Sequence, residues 1–450
     1  MNLIQKFIFI LKKATSLTPF AYAELFFISI MALWFESRHS KWAKYQKKYL
    51  SDTLNYAKDH SKYYSHLLSG CHIYPGNADS ILKTLPLSNK QLITEQGYNI
   101  FSNEINAHWY NWSNTGGSTG DPFRFPSMHT LLPYGNIHEM MLYHKMGMHI
   151  YHGVVSVDGT KVDEERIKQK IYYQTCPLDI YGKHHLSTLY MNDDTMPYYI
   201  ENLNQLKPNL LRGYPSGMLS MARYILQNPI KIKFKLIGIY LTSESFTQED
   251  SEIIQSAFHC PIWGQYGHTE MAVFASRKPG SEVYECSPLY GYTEVLKNGK
   301  QVRIGETGEI FVTSFTQRGV PFIRYATGDL AEYGGVKDDG TVILNHLCGR
   351  TKDFVVNKNN EKIYLIGFIF GCHLEAFNHI KNWQIQQKIP GAVNILIIKG
   401  NGYGKQTENE ILRLFAKEKV DAHIKYVDYI PKTKRGKQRF ILQNITNTQA

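Results

Sequence analysis

Between Ser40 and Leu68, Trp42, Tyr45, Tyr49, Leu50, Leu54 and Ala57 return at three- and four-residue steps with lysines between them. That period predicts a helix with one apolar face. Ahead of it, Met1 to Phe35 is the most apolar part of the chain. Its longest clean run, Leu25 to Phe35, falls short of the ~20 residues that cross a bilayer, and Glu24 precedes it. Lys12 and Lys13 interrupt the unbroken apolar centre that a secretory signal requires. The stretch is read as a core or interface helix. The alternative is a peripheral membrane foot, with Lys6, Lys12 and Lys13 facing acidic headgroups. Ser88 and Gln91 have capping-box spacing and predict a short helix after Leu85-Pro86-Leu87. A longer helix is predicted from about Leu131 to His149.

Farther on, charges between Asp158 and Arg166 predict an exposed loop, and Ser216 is placed to cap a helix through Leu226. Alternation of Ile232, Phe234 and Leu236 predicts a strand from Lys231 to Leu241, and a second strand is expected from Pro261 to Tyr266. Each runs into a polar cluster, Thr242-Ser243-Glu244-Ser245 and Gly267-His268-Thr269-Glu270. Ligands of α/β sheets collect at such carboxyl ends. A strand over Glu309 to Phe315, a turn over Tyr325 to Asp329 and a linker over Gly349 to Asp353 follow. Strands near Ala392 to Ile398 and His423 to Tyr429, with a helix at Glu408 to Glu418, then compose a separate α+β domain. The expected fold is α/β. A large N-terminal part, 1–348, with a helical lead-in over 1–70, precedes a small mobile C-terminal domain, 349–450.

Composition narrows the partners. At 450 residues the chain exceeds one ordinary core. Lys and Arg total 50 against 39 Asp and Glu, a net charge of +11 that favours nucleotides, coenzyme A or acidic lipid. With no arginine-rich arm and no RNA-binding sheet motif, nucleic acid is not expected. Six cysteines are scattered without a Cys-x-x-Cys pair, which reads as reduced and cytoplasmic. There is no His-Glu-x-x-His, so a protein-held transition metal is not expected.

The candidate chemistry begins at Ser113 to Gly120, where three glycines and four hydroxyl side chains fall within eight residues. Such a backbone turns tightly and aims N–H and O–H donors at one anion, and the helix predicted after it suits anion binding. The loop lacks the Gly-Lys-Ser/Thr ending of a Walker motif. Gly213-Tyr214-Pro215-Ser216-Gly217 lacks nucleophile-elbow spacing, which argues against a hydrolase.

Five stretches in this order and spacing resemble the adenylate-forming superfamily of acyl-CoA synthetases and peptide-synthetase adenylation domains. They are Thr115 to Pro122, Tyr266-Gly267-His268-Thr269-Glu270, Tyr325 to Asp329, Gly349-Arg350 and Gly436-Lys437. Within that superfamily the chain looks most like the phenylacetate:CoA ligase family and its capsular-polysaccharide-associated branch. Tyr56 to Tyr64, Gly213 to Ser216 and Tyr290 to Glu294 carry that likeness.

The resemblance implies activation of a small carboxylic acid by ATP and Mg²⁺ as an acyl-adenylate, then transfer to the thiol of coenzyme A. A carrier protein or a sugar amine is the alternative acceptor. A non-catalytic nucleotide-binding or scaffold protein of the same fold is the alternative from another class. It further implies that Ser118 and Thr119, with Thr115 and the backbone of Gly116, Gly117 and Gly120, hold the leaving phosphates. Glu270 would hold Mg²⁺ and Thr269 the α-phosphate. Tyr266, Gly267 and Glu244 would sit by adenine, Asp329 would accept from the ribose hydroxyls, and Arg350 would add a donor fork. Lys437 would bridge carboxylate and phosphate from the small domain, which would rotate about Lys352. The chain departs from the family at Asp121, where a lysine or small residue is commoner. It also lacks the cysteine–histidine pattern of some phenylacetate ligases around Cys260 and Cys286.

Overall fold

The computed structural model describes residues 19–106, 110–114, 123–128, 134–149, 152–176, 182–351, 353–364, 379–400, 402–431, 433, 436, 439–443 and 445. Met1–Thr327 with Ala331–His346 form one compact unit, and Gly328–Leu330 with Leu347–Ala450 form another. The second unit therefore begins slightly ahead of the expected 348/349 boundary and takes in three residues distant in sequence.

Five parallel strands run through the larger unit, in spatial order His184–Ser187, Val154–Asp158, Leu210–Gly213, Gly238–Thr242 and Ile262–Gly267. Along the chain they come second, first, third, fourth and fifth, so the winding reverses between Val154–Asp158 and Leu210–Gly213. At such a switch the carboxyl ends of a doubly wound sheet open a crevice. Side chains alternate across the sheet. Val157, Leu211, Ile239 and Ile262 pack on one face with helices Met196–Leu206, Pro215–Gln227 and Gln248–Phe258. Leu210 and Tyr240 pack on the other with helices Pro19–Glu36 and Tyr134–Lys145. Gly213 has φ +139°, and a Cβ there would lie 1.9 Å from the carbonyl oxygen of Val157, so the chain leaves that strand through a position only glycine fits. Past Ile262–Gly267 the sheet continues through Phe274–Arg277, Tyr284–Cys286, Val342–Arg350, Tyr325–Val336 and Thr307–Ser314 to Gly291–Lys297 and Lys300–Gln301.

In the smaller unit a four-stranded sheet is ordered Asp421–Tyr426, Ala392–Lys399, Ile380–Ile389 and Ile441–Gln443. Ile411 and Phe415, four apart on helix Lys405–Lys417, bury against Ile395 and Ile397.

Several expectations are corrected in detail. The helix near Ser88 is Lys90–Gln96, and Asn89 caps it by accepting from Leu92 N–H at 2.8 Å. Ser88 instead donates its hydroxyl to the Ile323 carbonyl, 2.8 Å away. Ser216 lies inside helix Pro215–Gln227, where Pro215 opens the first turn. A short helix, Glu164–Lys168, forms at the end of the supposed Asp158–Arg166 loop. The strand expected over Lys231 to Leu241 is confined to Gly238–Thr242. Asn204 explains the loss, because its side chain donates to Lys231 O (3.2 Å) and accepts from Lys233 N (2.7 Å) where a neighbouring strand would have paired. Tyr325 to Asp329 belongs to strand Tyr325–Val336 rather than a turn, and Gly349-Arg350 ends strand Val342–Arg350 rather than forming part of a linker.

Candidate functional site

Strand Ile262–Gly267 ends in a turn fixed from behind. Met271 has φ +54° and donates its N–H to His268 O at 3.1 Å. Its own carbonyl accepts from Ser314 Oγ (2.7 Å) and Thr316 Oγ1 (2.8 Å). This turn leaves Thr269 exposed and folds Glu270 inward to 7% exposure. Glu270 Oε1 accepts from the Tyr325 hydroxyl at 3.1 Å, and Oε2 lies 3.2 Å from His268 Nδ1. Neither His268 ring nitrogen has hydrogen-bond geometry with a partner among the described residues. Burial alone would raise the Glu270 pKa. The neighbouring His268 ring, a backbone N–H and the Tyr325 hydroxyl outweigh burial and hold the carboxyl below its ordinary value. Tyr266, on the same strand, meets the His268 ring edge-on with centroids 6.5 Å apart.

The neighbouring strand end is tied to this one, because Thr242 Oγ1 donates to Gln265 Oε1 at 2.6 Å. Ser243 follows at φ +74°, a left-handed conformation uncommon for a side-chain-bearing residue. Glu244, expected beside adenine, has Oε2 accepting from Ser216 N–H at 3.0 Å. That places its charge at the N-terminus of helix Pro215–Gln227, where the macrodipole favours an anion.

Two polar groups near the switch between Val154–Asp158 and Leu210–Gly213 escaped sequence reasoning. Asp158 Oδ2 lies 2.7 Å from His185 Nδ1 on the adjacent strand, and Oδ1 accepts from Thr160 N–H at 2.9 Å. Burial acts to raise the Asp158 pKa, but His185 and Thr160 outweigh it and hold the carboxyl below its usual value. Beside them, Arg212 donates to Glu139 Oε1 (2.6 Å), Ser156 Oγ (3.0 Å) and the Tyr143 hydroxyl (3.2 Å). Glu139 and Tyr143 are four apart on one helix, a signal visible in sequence. Ser156 and Arg212 meet because strand register pairs them, and no spacing rule announces that.

In the smaller unit, two motif segments 21 residues apart, ending in Asp329 and Arg350, come together: Arg350 Nε is 3.3 Å from Asp329 Oδ1. Gly328, at φ +77°, aims its carbonyl at Thr351, whose N–H and hydroxyl donate to it at 2.8 and 3.2 Å. Burial, with Asp329 adding to it and Arg350 opposing it, pushes the nearby Asp353 carboxyl up. Thr115 to Gly120, Lys352 and Lys437 lie outside the described residues. A cleft lined by Trp42, His138, Lys145, Phe274 and Glu285 contains none of the expected site residues. Cys260 and Cys286 are core residues, and burial pushes both thiols up to about 12.

Residues 355–444 match the family model of the CapK C-terminal domain. Over 422 residues the chain is 27% identical to Protein CapK of Staphylococcus aureus, covering 89% of each. The solved structure of 2-hydroxyisobutyryl-CoA ligase, in the postadenylation state with R3-HIB-AMP, matches with a TM-score of 0.66 and 16% identity over 88% of both chains. GH3.15 acyl acid amido synthetase matches at 0.57 and 14% identity over 89% of both. Such identities speak for the fold alone. The chain shares the fold of these ligases, is similar along most of its length to Protein CapK, and carries at 355–444 a segment that matches the CapK C-terminal domain.

Proposed function

We propose that this protein uses ATP to activate a small carboxylic acid as an acyl-adenylate, releasing pyrophosphate, and passes the acyl group to the thiol of coenzyme A. The observation that carries the reading is Glu270: a carboxylate kept ionised although buried, at the carboxyl end of a parallel sheet, with an exposed threonine beside it. Anion must meet anion when a carboxylate attacks the α-phosphate, so the protein's contribution is charge neutralisation and alignment. An ionised oxygen donor fits Mg²⁺, which prefers oxygen ligands, keeps several waters and would offset phosphate charge when bound at Glu270.

The remaining roles are those the family resemblance implies, and donor and acceptor chemistry suits them. Thr115 to Gly120 hold the leaving phosphates through hydroxyls and backbone N–H groups, and Thr269 donates to the α-phosphate. Tyr266 gives its ring to adenine, with Gly267 and Glu244 beside it. Asp329, acceptor-only when ionised, takes the two ribose hydroxyls, and Arg350 presents a planar fork. Lys437 supplies an ammonium group between carboxylate and phosphate, with Lys352 as the hinge that carries it in and out. The resemblance of Tyr56 to Tyr64, Gly213 to Ser216 and Tyr290 to Glu294 to the capsular-polysaccharide-associated branch favours a role in surface polysaccharide biosynthesis. A second reading, transfer to an amine, draws on the match to an acyl acid amido synthetase. Transfer to a carrier-protein thiol is the remaining option for the acceptor.

Pyrophosphate release across fatty, aryl and amino acids, with coenzyme A or amines added, tests the reading. Acid-dependent release that coenzyme A accelerates supports it; release stimulated by an amine alone favours the second reading, and none with any acid refutes both. Lys437→Ala lowers adenylation by ~10² or more with little change in thermal midpoint. Equal activity in the variant and the parent removes Lys437 from the mechanism.

A further inference from the structure

Helix Pro19–Glu36 is apolar on two opposite sides. Ile28, Ala32 and Phe35 are buried in the core shared with helix Tyr134–Lys145, and Ser29 is 2.9 Å from His144 Nε2. On the other side, Phe26, Phe27, Ile30, Leu33 and Trp34 are 57, 47, 46, 54 and 39% exposed. At 3.6 residues per turn these five fall in a single stripe about 120° wide. A contiguous exposed apolar stripe marks a surface that meets something other than water.

The flank of the stripe indicates what that is. Trp34 stacks on Tyr45 with centroids 6.3 Å apart, and the Arg38 guanidinium sits 4.1 Å from the Trp34 ring centre. From Ser37 to Ser51 the chain carries Arg38, Lys41, Lys44, Lys47 and Lys48 and not one Asp or Glu. All four lysines are exposed, and Lys48 is paired with Asp52 at 2.6 Å. Apolar side chains, an amphipathic aromatic pair and a cationic margin in succession complement the layers of an anionic bilayer surface: acyl chains, interface and headgroups. No described helix is long and apolar enough to cross a membrane, so contact would be made by a helix lying in the interface plane.

We propose that this face of helix Pro19–Glu36 docks on a bilayer containing anionic phospholipid, inserting Phe26, Phe27, Ile30 and Leu33 while Trp34, Arg38 and the following lysines sit at headgroup level. The inference does not depend on the catalytic reading.

Co-sedimentation of the full chain with phosphatidylcholine vesicles, with and without phosphatidylglycerol, is the experiment. Binding is expected to the anionic vesicles, weakening as salt is raised. The variant Phe26→Gln/Ile30→Gln/Leu33→Gln should partition at least ~30-fold less. Lys41→Gln/Lys44→Gln/Lys47→Gln should abolish the preference for phosphatidylglycerol. Circular dichroism and the thermal midpoint of both variants should match the parent. Absence of binding by the parent, or equal binding by the apolar variant, overturns the proposal. A dimer in sedimentation that the apolar variant dissociates, without vesicle binding, assigns the face to a second copy and equally overturns it. So does vesicle binding that arises only after residues 1–18 are removed.

Discussion

Glu270→Gln is expected to lower acid-dependent pyrophosphate release by ~10³-fold while the protein stays folded. Glutamine keeps the size of the side chain and an oxygen to accept the Tyr325 hydroxyl, now at 3.1 Å. It removes the charge that His268 faces and that a hard cation would need. The packing cost is small because shape is conserved, so the effect falls on catalysis. Steady-state rates over a range of Mg²⁺ concentrations, together with a thermal melt, separate the two. A melt unchanged within a few degrees and a rate loss that excess Mg²⁺ partly restores is the predicted pair. A full rate in the variant would remove Glu270 from the mechanism.

The second large effect concerns stability. Arg324 is 7% exposed and forms a two-pronged pair with Glu294, Nε to Oε2 at 3.1 Å and Nη2 to Oε1 at 2.8 Å. Its remaining nitrogen, Nη1, donates to the carbonyls of Lys83 (3.1 Å) and Leu85 (2.9 Å), joining the end of helix Ala78–Thr84 to strand Gly291–Lys297. Arg324→Met strands the Glu294 charge, itself 5% exposed, and two carbonyls in the interior. The expected loss is about 3–5 kcal/mol in urea unfolding. Replacing both partners, Arg324→Met with Glu294→Leu, should recover much of it, because two apolar groups need no solvation. A single-variant loss below about 1 kcal/mol would show that water reaches Glu294 and that the pair is not a structural tie.

Much of the fold was legible where periodicity and packing agree. The lysine-spaced helix appears as Trp42–His60, with Leu50, Leu54 and Ala57 buried, and the late helix appears as Lys405–Lys417. Legibility failed where side chains replaced backbone partners. Ile232 and Phe234 do pack against the core, so their alternation was real, but Asn204 occupies the backbone groups a ladder requires. Gly328-Asp329 looked like a turn because glycine and aspartate favour one. In the fold, the positive φ of Gly328 lies within strand Tyr325–Val336 and aims a carbonyl at Thr351. The candidate site was read as separate phrases, each rich in donors and acceptors suited to phosphate or ribose. What no phrase disclosed was pairing set by register, such as Ser156 with Arg212 or Asp158 beside His185.

The N-terminal apolar segment was read as a core helix with a membrane foot as its rival, and helix Pro19–Glu36 is buried along one side and bare along the other. An apolar face on each side gives hydropathy with little directional preference, so periodicity could not separate the two roles.

Exchange of labelled pyrophosphate into ATP needs a reversible adenylate and no acyl acceptor, so it isolates the coupling of a carboxylate to AMP from every later step. Exchange is expected to require both a carboxylic acid and Mg²⁺ and to disappear in Glu270→Gln. ATP bound without exchange across a broad panel of acids, or ATP cleaved to ADP and phosphate instead, would contradict it.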